Sequence, residues 1–494
     1  MFREWRQLAT GGALGKLTGL VREVLFASFL GTSTWADAYR TALATTVSVS
    51  HLFTSEALTT AFVPQFGRYL AQQPPKAWTL LKAMLILLVP GAIIVATALF
   101  LSARWIIDTL YPGFDAEQVG QSVEMLRIMA VGIVPYVLSA MWISVAMGRG
   151  SFVLAAARPA VQNLGVIAAI IIAWWLGNPR LIACGFTGTY LLFMLVTWWY
   201  LRSRGLFDEG WLSHFLHVRS VLRRFCKSLG PLLPFAAAIQ LMVLVEKAVA
   251  TLVGSGAVAA VDYARFITEL ASLLVVVPLG LVSLASMAHL TAEEARHRSD
   301  AMCAVAALLL VPTSAFLLVA AEDLVRVIYE HGAFQEDAVV VTTRALRGMA
   351  LSLWCTGLAY ILLRVFNAQL RNREVLLIGL LGVVVNVTAN IVLYRPLGVA
   401  SMGVAFTLYG LVTLFAFAHC IGGLPKTRTI TMTCLSLAVV YVGLGWLIDR
   451  QLEWYPVARL LVHVAFGLAY WIGLLAAIPI TRDVLREIVR RVRS

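Results

Sequence analysis

The residues most able to do chemistry in this chain lie in its first two apolar stretches. Lys16, Arg22, Glu23, Asp37, Arg40, His51 and Glu56 all fall within residues 15–64, in surroundings apolar enough to cross a membrane. A charged side chain at mid-bilayer costs about 2.5–3.5 kcal/mol even on insertion scales, so such residues face a protein interior or a wet cavity. This density of charge predicts the wall of a solvated cavity that holds something polar and anionic. Arg40 and His51 share a helical face through the positions 40, 44, 47 and 51, and Asp37 lies one turn before Arg40. On the preceding helix Lys16 and Glu23 are seven apart and nearly eclipsed. The pairs Lys16–Glu23 and Asp37–Arg40 either line the cavity or simply neutralise each other, and both readings stand. Arg22 and His51 have no obvious local partner, which makes them the better candidates for a ligand. Gly11, Gly15 and Gly19 form a small-residue ridge that lets a neighbouring helix approach closely.

The elements that must position these groups are membrane helices. Of 494 residues, 60% are hydrophobic and 13% charged, with a mean hydropathy of +0.84. Soluble domains carry about 25% charged residues, so the composition is that of a polytopic membrane protein. The basic start MFREWRQ has no small-residue cleavage site after it, so no cleavable signal is expected. Cys184, Cys226, Cys303, Cys355, Cys420 and Cys434 show no metal-type spacing and read as apolar packing residues. The net charge of +13 reports membrane topology, because no soluble domain is present to hold a nucleic acid.

Apolar windows give about fourteen spans, near 8–30, 36–70, 77–103, 121–148, 152–176, 180–201, 229–253, 257–288, 300–321, 340–368, 374–394, 400–421, 427–448 and 457–480. Basic residues recur after every even span, as at Arg149, Arg202, Arg296 and Arg371, so both termini are expected on the cytoplasmic side. The connection 203–228 carries Trp211, Phe215, Val218 and Leu222 at helical spacing, which predicts an amphipathic helix on the inner leaflet.

The chain also repeats itself. Residues 110–130 resemble 328–350, with Phe114 on Phe334 and Arg127 on Arg347, and Asp37-x-x-Arg40 recurs as Asp262-x-x-Arg265. Six spans separate the copies, so they share an orientation. The expected fold is all-α, with two pseudo-symmetric six-helix lobes, 1–202 and 229–423, joined by the linker 203–228. A two-helix hairpin and a basic cytoplasmic tail fill 424–494. In the second half Asp262, Arg265 and Glu269 form one stripe, Glu246 sits in an apolar context, and Asn386 and Asn390 stack one turn apart. Pro90, Pro135, Pro278 and Pro312 fall inside spans.

These features exclude an enzyme with a sizeable extramembrane reaction site: no outer loop exceeds about twenty residues and no DxD, HExxH, GxSxG or P-loop pattern stands in a suitable context. A two-lobed cavity suits alternating access better than a continuous pore.

The motifs GKLTGLVREVLFASFLG…ADAY, SEALTTAFVPQF, YPGF, YEHGAF and RVFNAQLRNRE, in this order and spacing, resemble the MurJ/MviN family of lipid-linked saccharide flippases. The resemblance covers nearly the whole chain; the multidrug (MATE) exporters of the same superfamily normally stop at twelve spans. It implies a non-enzymatic flippase that moves an undecaprenyl-diphosphate-linked saccharide from the inner to the outer leaflet of the bacterial cytoplasmic membrane. Lys16 and Arg22 match the two basic positions of span one, and Asp37 an acidic position of span two. Where lipid II flippases of the family carry an Arg pair, this chain has Ser50 and His51, and the span-eight Arg position falls on Phe266 beside Arg265. Arg40 is an addition. An exopolysaccharide repeat unit is therefore weighed with lipid II as cargo, and a MATE-like exporter of amphipathic molecules is the alternative.

Lys16, Arg22, Asp37, Arg40, His51 and Arg265 are the expected substrate-binding residues, and Glu23, Glu56, Asp262 and Glu269 the expected coupling or gating acids. The resemblance implies a cation site at Glu246, Asn386, Asn390 and Thr407, with coupling to Na+, H+ or the membrane potential and no other cofactor. A monomer in contact with membrane lipids and envelope polysaccharide synthesis proteins, with no nucleic acid, completes the expectation.

Overall fold

The computed structural model describes residues 2–54, 56–205, 223, 233–287, 290–451 and 455–477. The amphipathic helix expected at 203–228, with Trp211, Phe215, Val218 and Leu222, falls almost wholly outside them, as do Cys226 and the basic tail. Among the described residues there are eighteen helices and no strand. They fall into two compact units, 1–258 and 259–494.

The first unit contains α1 (Phe2–Leu30), α2 (Thr34–Thr54), α3 (Glu56–Gln72), α4 (Pro74–Leu101), α5 (Ala103–Leu110), α6 (Ala116–Val131), α7 (Ile133–Gly148), α8 (Val153–Leu176), α9 (Leu181–Ser203) and α10 (Leu233–Val253). Helix α11 (Ala257–Met287) starts at the boundary. The second unit continues with α12 (Ala292–Val319), α13 (Ala321–Tyr329), α14 (Glu336–Ala368), α15 (Asn372–Leu397), α16 (Ala400–Cys420), α17 (Pro425–Gln451) and α18 (Pro456–Ala477). The packing boundary thus falls one helix later than the linker at 203–228. Helix α10 and the turn after it pack on the first unit: Gly113 N–H donates to Thr251 Oγ1 and the Gln118 amide to Ser255 Oγ, each at 3.3 Å.

Among the described residues, ten helices are long and apolar enough to cross a membrane, and the bent pair α6–α7 makes an eleventh span. The long helices that fall short are α1, α2 and α11. They carry most of the ionisable residues singled out from the sequence, among them Lys16, Arg22, Asp37, Arg40, Asp262 and Arg265, which lowers their hydropathy. The 41° bend between α6 and α7 follows from Pro135, whose missing N–H leaves the Val131 carbonyl without its helical partner. Pro90 and Pro312 sit inside unbroken helices. Large apolar side chains stand exposed along the spans, among them Ile94, Leu192 and Val439, with Trp105, Trp175, Trp446 and Tyr455 near helix ends. That is the pattern of a lipid-facing belt with interfacial aromatics. Cys303, Cys355 and Cys434 are buried packing residues as expected, whereas Cys184 and Cys420 are exposed.

Two local devices fix the frame around the site. The glycine ridge of α1 faces α8: a Cβ on Gly11 would lie 2.4 Å from the Ala156 carbonyl oxygen, and one on Gly15 2.6 Å from Pro159 Cβ. The repeat also has a structural counterpart. Each copy places a short helix, a buried tyrosine at or just after its end, and a phenylalanine before the next helix; Phe334 is buried and Phe114 half-buried. Tyr111 shares a 2.7 Å hydrogen bond with Thr45 Oγ1 of α2, and Tyr329 donates to the Tyr263 carbonyl of α11 at 3.2 Å. In the second unit the buried Asp300 of α12 accepts from the backbone N–H groups of Lys426 (3.0 Å) and Thr427 (2.8 Å), satisfying orphan donors at the start of α17.

Candidate functional site

Among the described residues, a buried cluster of charge lies where α1, α2 and α8 meet. Glu23, 2% exposed, is shared by two guanidinium groups. Arg22 donates to Glu23 Oε1 at 2.5 Å, and Arg40 engages both carboxylate oxygens. The other arm of Arg22 donates to Asn163 Oδ1 at 2.8 Å, while the Asn163 amide donates to the Gly15 carbonyl at 2.7 Å. The close approach at Gly15 is what allows this bond, so the glycine ridge positions the arginine. Arg40 lies over the Phe26 ring, 4.6 Å from its centroid. Arg22 and Arg40 share the one carboxylate of Glu23. A carboxylate held by two charge-assisted donors fixes its arginines in place.

Glu23, expected beside Lys16, pairs instead with two arginines. The partners of Glu23 are Arg22 and Arg40, so Arg22 has a local partner after all. Asp37 also makes a backbone contact. It is fully buried, and its carboxylate accepts the Gly256 backbone N–H at 2.6 Å. Gly256 has φ +79, and a Cβ there would meet the Thr32 carbonyl oxygen at 2.6 Å. Asp37 therefore ties the turn 254–256 to the start of α2. Lys16 is half-buried on α1. His51 lies eleven residues after Arg40, about 16 Å along the helix axis, with its ring 6.2 Å from that of Tyr136. Glu56 opens α3, and its side chain lies outside the described set.

In the second unit α11 repeats part of this design. Arg265 is half-buried with its guanidinium 4.8 Å from the centroid of Phe406, as Arg40 lies over Phe26. Asp262 is half-buried and Glu269 exposed, so the expected stripe runs from interior to surface. Phe266, at the position where the family resemblance expects an arginine, is buried.

Of the expected cation ligands, Glu246 is buried in the first unit and Asn386, Asn390 and Thr407 belong to the second. Asn390 donates to Asn386 Oδ1 at 3.0 Å, and Thr407 Oγ1 to the Gly403 carbonyl at 2.9 Å. Among Asn386, Asn390 and Thr407, Asn390 Oδ1 is the buried side-chain oxygen left without a hydrogen bond. These three residues alone do not supply the several oxygens that a hard cation needs.

Sequence reasoning missed two groups. Asp323, Asp449 and His463 bring ligand-type atoms within 4.8 Å of one another. Arg459 donates to Asp323 at 2.7 Å and His463 Nε2 meets Asp449 at 2.7 Å. Burial pushes the Asp323 carboxyl above its ordinary range, with Arg459 and His463 opposing the rise. A guanidinium among the ligand atoms works against a metal cation, and the group acts as an ion-paired clasp between α13, α17 and α18. The acidic character of 322–337 was visible in the sequence; its partners on α18 were not. The second group surrounds Arg158 of α8, which no periodic pattern marks.

The fold and this site define a polytopic membrane transporter, built from repeated helical units with buried cations in its spans. The model of the family described as lipid II flippase MurJ matches residues 26–464, and the chain belongs to that family. It is similar to a probable lipid II flippase MurJ of Rhizobium meliloti (strain 1021), 26% identical over 531 residues, which span 96% of this chain and 95% of the relative. A lipid II flippase MurJ of Burkholderia cenocepacia is 26% identical over 364 residues, 72% of this chain and 70% of the relative. Among solved structures, a lipid II flippase MurJ in an inward closed conformation superposes with a TM-score of 0.83 at 17% identity, over 97% of this chain and 99% of that one. An inward-facing multidrug resistance MATE family transporter of the MOP superfamily gives 0.62 at 15% identity, over 85% and 96%.

Proposed function

We propose that the chain flips a polyprenyl-diphosphate-linked saccharide between leaflets of the bacterial cytoplasmic membrane by alternating access, without covalent change. The observation that carries this is the Arg22–Glu23–Arg40 cluster. It fixes two guanidinium groups side by side inside a membrane-embedded unit, and their forks match phosphate oxygens. Family membership supports a lipid-linked cargo, and the relatives' description makes lipid II the first to test, with an exopolysaccharide repeat unit second. The distribution of basic residues supports cytoplasmic termini, and coupling to Na+, H+ or the membrane potential is part of the same proposal. The test is complementation of a conditional strain depleted of its lipid II flippase. Rescue that is lost on Arg22→Ala, with protein levels in the membrane unchanged, is the expected result. Failure to rescue with the protein present would reject lipid II as cargo, and an exopolysaccharide export assay would follow.

A further inference from the structure

We propose that Arg158, with His51, Tyr136 and Tyr190, forms a second anion-binding station in the first unit, built to hold a phosphate or diphosphate group. The inference rests on the functional reading above and adds a residue to it.

Arg158 sits on α8 one residue before Pro159, which packs against Gly15 of α1. It is therefore on the same helix pair that positions Arg22. Its guanidinium lies 4.9 Å from the centroid of the Tyr136 ring and beside the Tyr136 and Tyr190 hydroxyls. Those rings are themselves in contact, with centroids 4.6 Å apart, and are 3% and 2% exposed. No carboxylate pairs with Arg158 among the described residues. The contrast with Arg22 and Arg40, which share Glu23, is the point of the argument. A half-buried guanidinium inside a membrane lobe, steadied by neutral hydroxyls alone, keeps its full charge for an anion. The two phenols are donors that can turn to the same anion.

The station also lies where it is needed. His51, whose ring is 6.2 Å from that of Tyr136, takes the place of the basic pair that the family resemblance expects late in span two. Arg158 brings a permanent cation to that level of the lobe from a different helix. His51 stands about 16 Å from Arg40 along α2, whereas Arg158 stands about 7.5 Å along α8 from Asn163, the partner of Arg22, so the station adjoins the cluster and gives a migrating headgroup a neighbouring foothold.

The test uses the full-length protein in phosphatidylcholine nanodiscs, titrated with farnesyl diphosphate, inorganic pyrophosphate and farnesol. The wild type is expected to bind farnesyl diphosphate. Arg158→Ala is expected to weaken that binding at least tenfold, Arg158→Lys to restore most of it, and farnesol binding to stay unchanged in both. Equal affinity for farnesyl diphosphate in wild type and Arg158→Ala would overturn the station while leaving the flippase reading intact. Loss of farnesol binding by the same factor would show that Arg158 only props the tyrosines, and would also overturn it. Phosphatidylglycerol competing as strongly as farnesyl diphosphate would reassign the site to bulk lipid headgroups. No binding of any diphosphate by the wild type would count against the functional reading itself.

Discussion

Replacing Glu23 by glutamine should be among the most damaging single changes in the first unit. The substitution keeps the shape and removes the charge that Arg22 and Arg40 share. Both guanidinium groups touch one carboxylate, so their centres lie about 6 Å apart. At an effective dielectric of about 20, two like charges at that distance repel by about 3 kcal/mol. Removing one partner of a buried ion pair costs about 3–5 kcal/mol, a range that includes this repulsion. The double variant Glu23→Gln/Arg40→Gln leaves only Arg22, still bonded to Asn163, and should recover about 3 kcal/mol of the loss. Thermal melts followed by tryptophan fluorescence suit the measurement, because Trp78 and Trp142 are buried in the same unit. If the double variant melts at or below Glu23→Gln, the two arginines are not held together by Glu23 and the reading of the cluster fails.

Other perturbations test the frame. Asp37→Ala strands the Gly256 N–H and should cost about 1–3 kcal/mol, while Asp37→Asn, which can still accept, should cost less; melts of the two variants decide it. Gly15→Val drives a side chain into Pro159 and should destabilise by about 1–3 kcal/mol, with loss of complementation because α8 then moves Asn163 away from Arg22. Asp300→Ala removes the acceptor at the start of α17 and should cost about 1.5–3 kcal/mol, seen as earlier proteolysis between α16 and α17. Tyr111→Phe removes a hydroxyl bonded to Thr45 Oγ1 and the Thr41 carbonyl, and Tyr329→Phe one bonded to the Tyr263 carbonyl, so at about 1 kcal/mol per bond the first should cost about twice the second. A several-fold difference between the two melts would show that the copies are not equivalent in packing.

Much of this architecture was legible because membrane physics writes it into composition. Lipid forces long apolar runs, so the spans stand out, and ionisable residues within them mark an interior. The repeat was legible because Tyr111 and Phe114, and Tyr329 and Phe334, perform the same packing twice. The pairing of charges was not. Spacing along one helix suggested Lys16 with Glu23 and Asp37 with Arg40, yet Glu23 bonds across to Arg40 on the next helix because two helices meet there. The contact of Asp37 with a backbone N–H 219 residues away was not legible either, because a backbone donor leaves no mark on residue type. Arg158 was overlooked because its neighbours, Tyr136 and Tyr190, come from two other helices and carry no formal charge.

The hairpin α17–α18 is held to the second unit by polar contacts at two levels. Asp300 receives the start of α17, and Asp323 receives Arg459 near the start of α18. Between them the contact is apolar, with Tyr441 and Trp471 packed on Ala315 and Val319. Both anchoring acids belong to α12 and α13, inside the repeated bundle, and the donors come from the hairpin. In evolutionary terms a six-helix bundle already bearing two such acids needs little alteration to accept a further pair of helices. The added pair must bring an open helix start, one arginine and an aromatic face. Grafting this hairpin onto a related twelve-span scaffold is thus a question of supplying two carboxylates at the right heights.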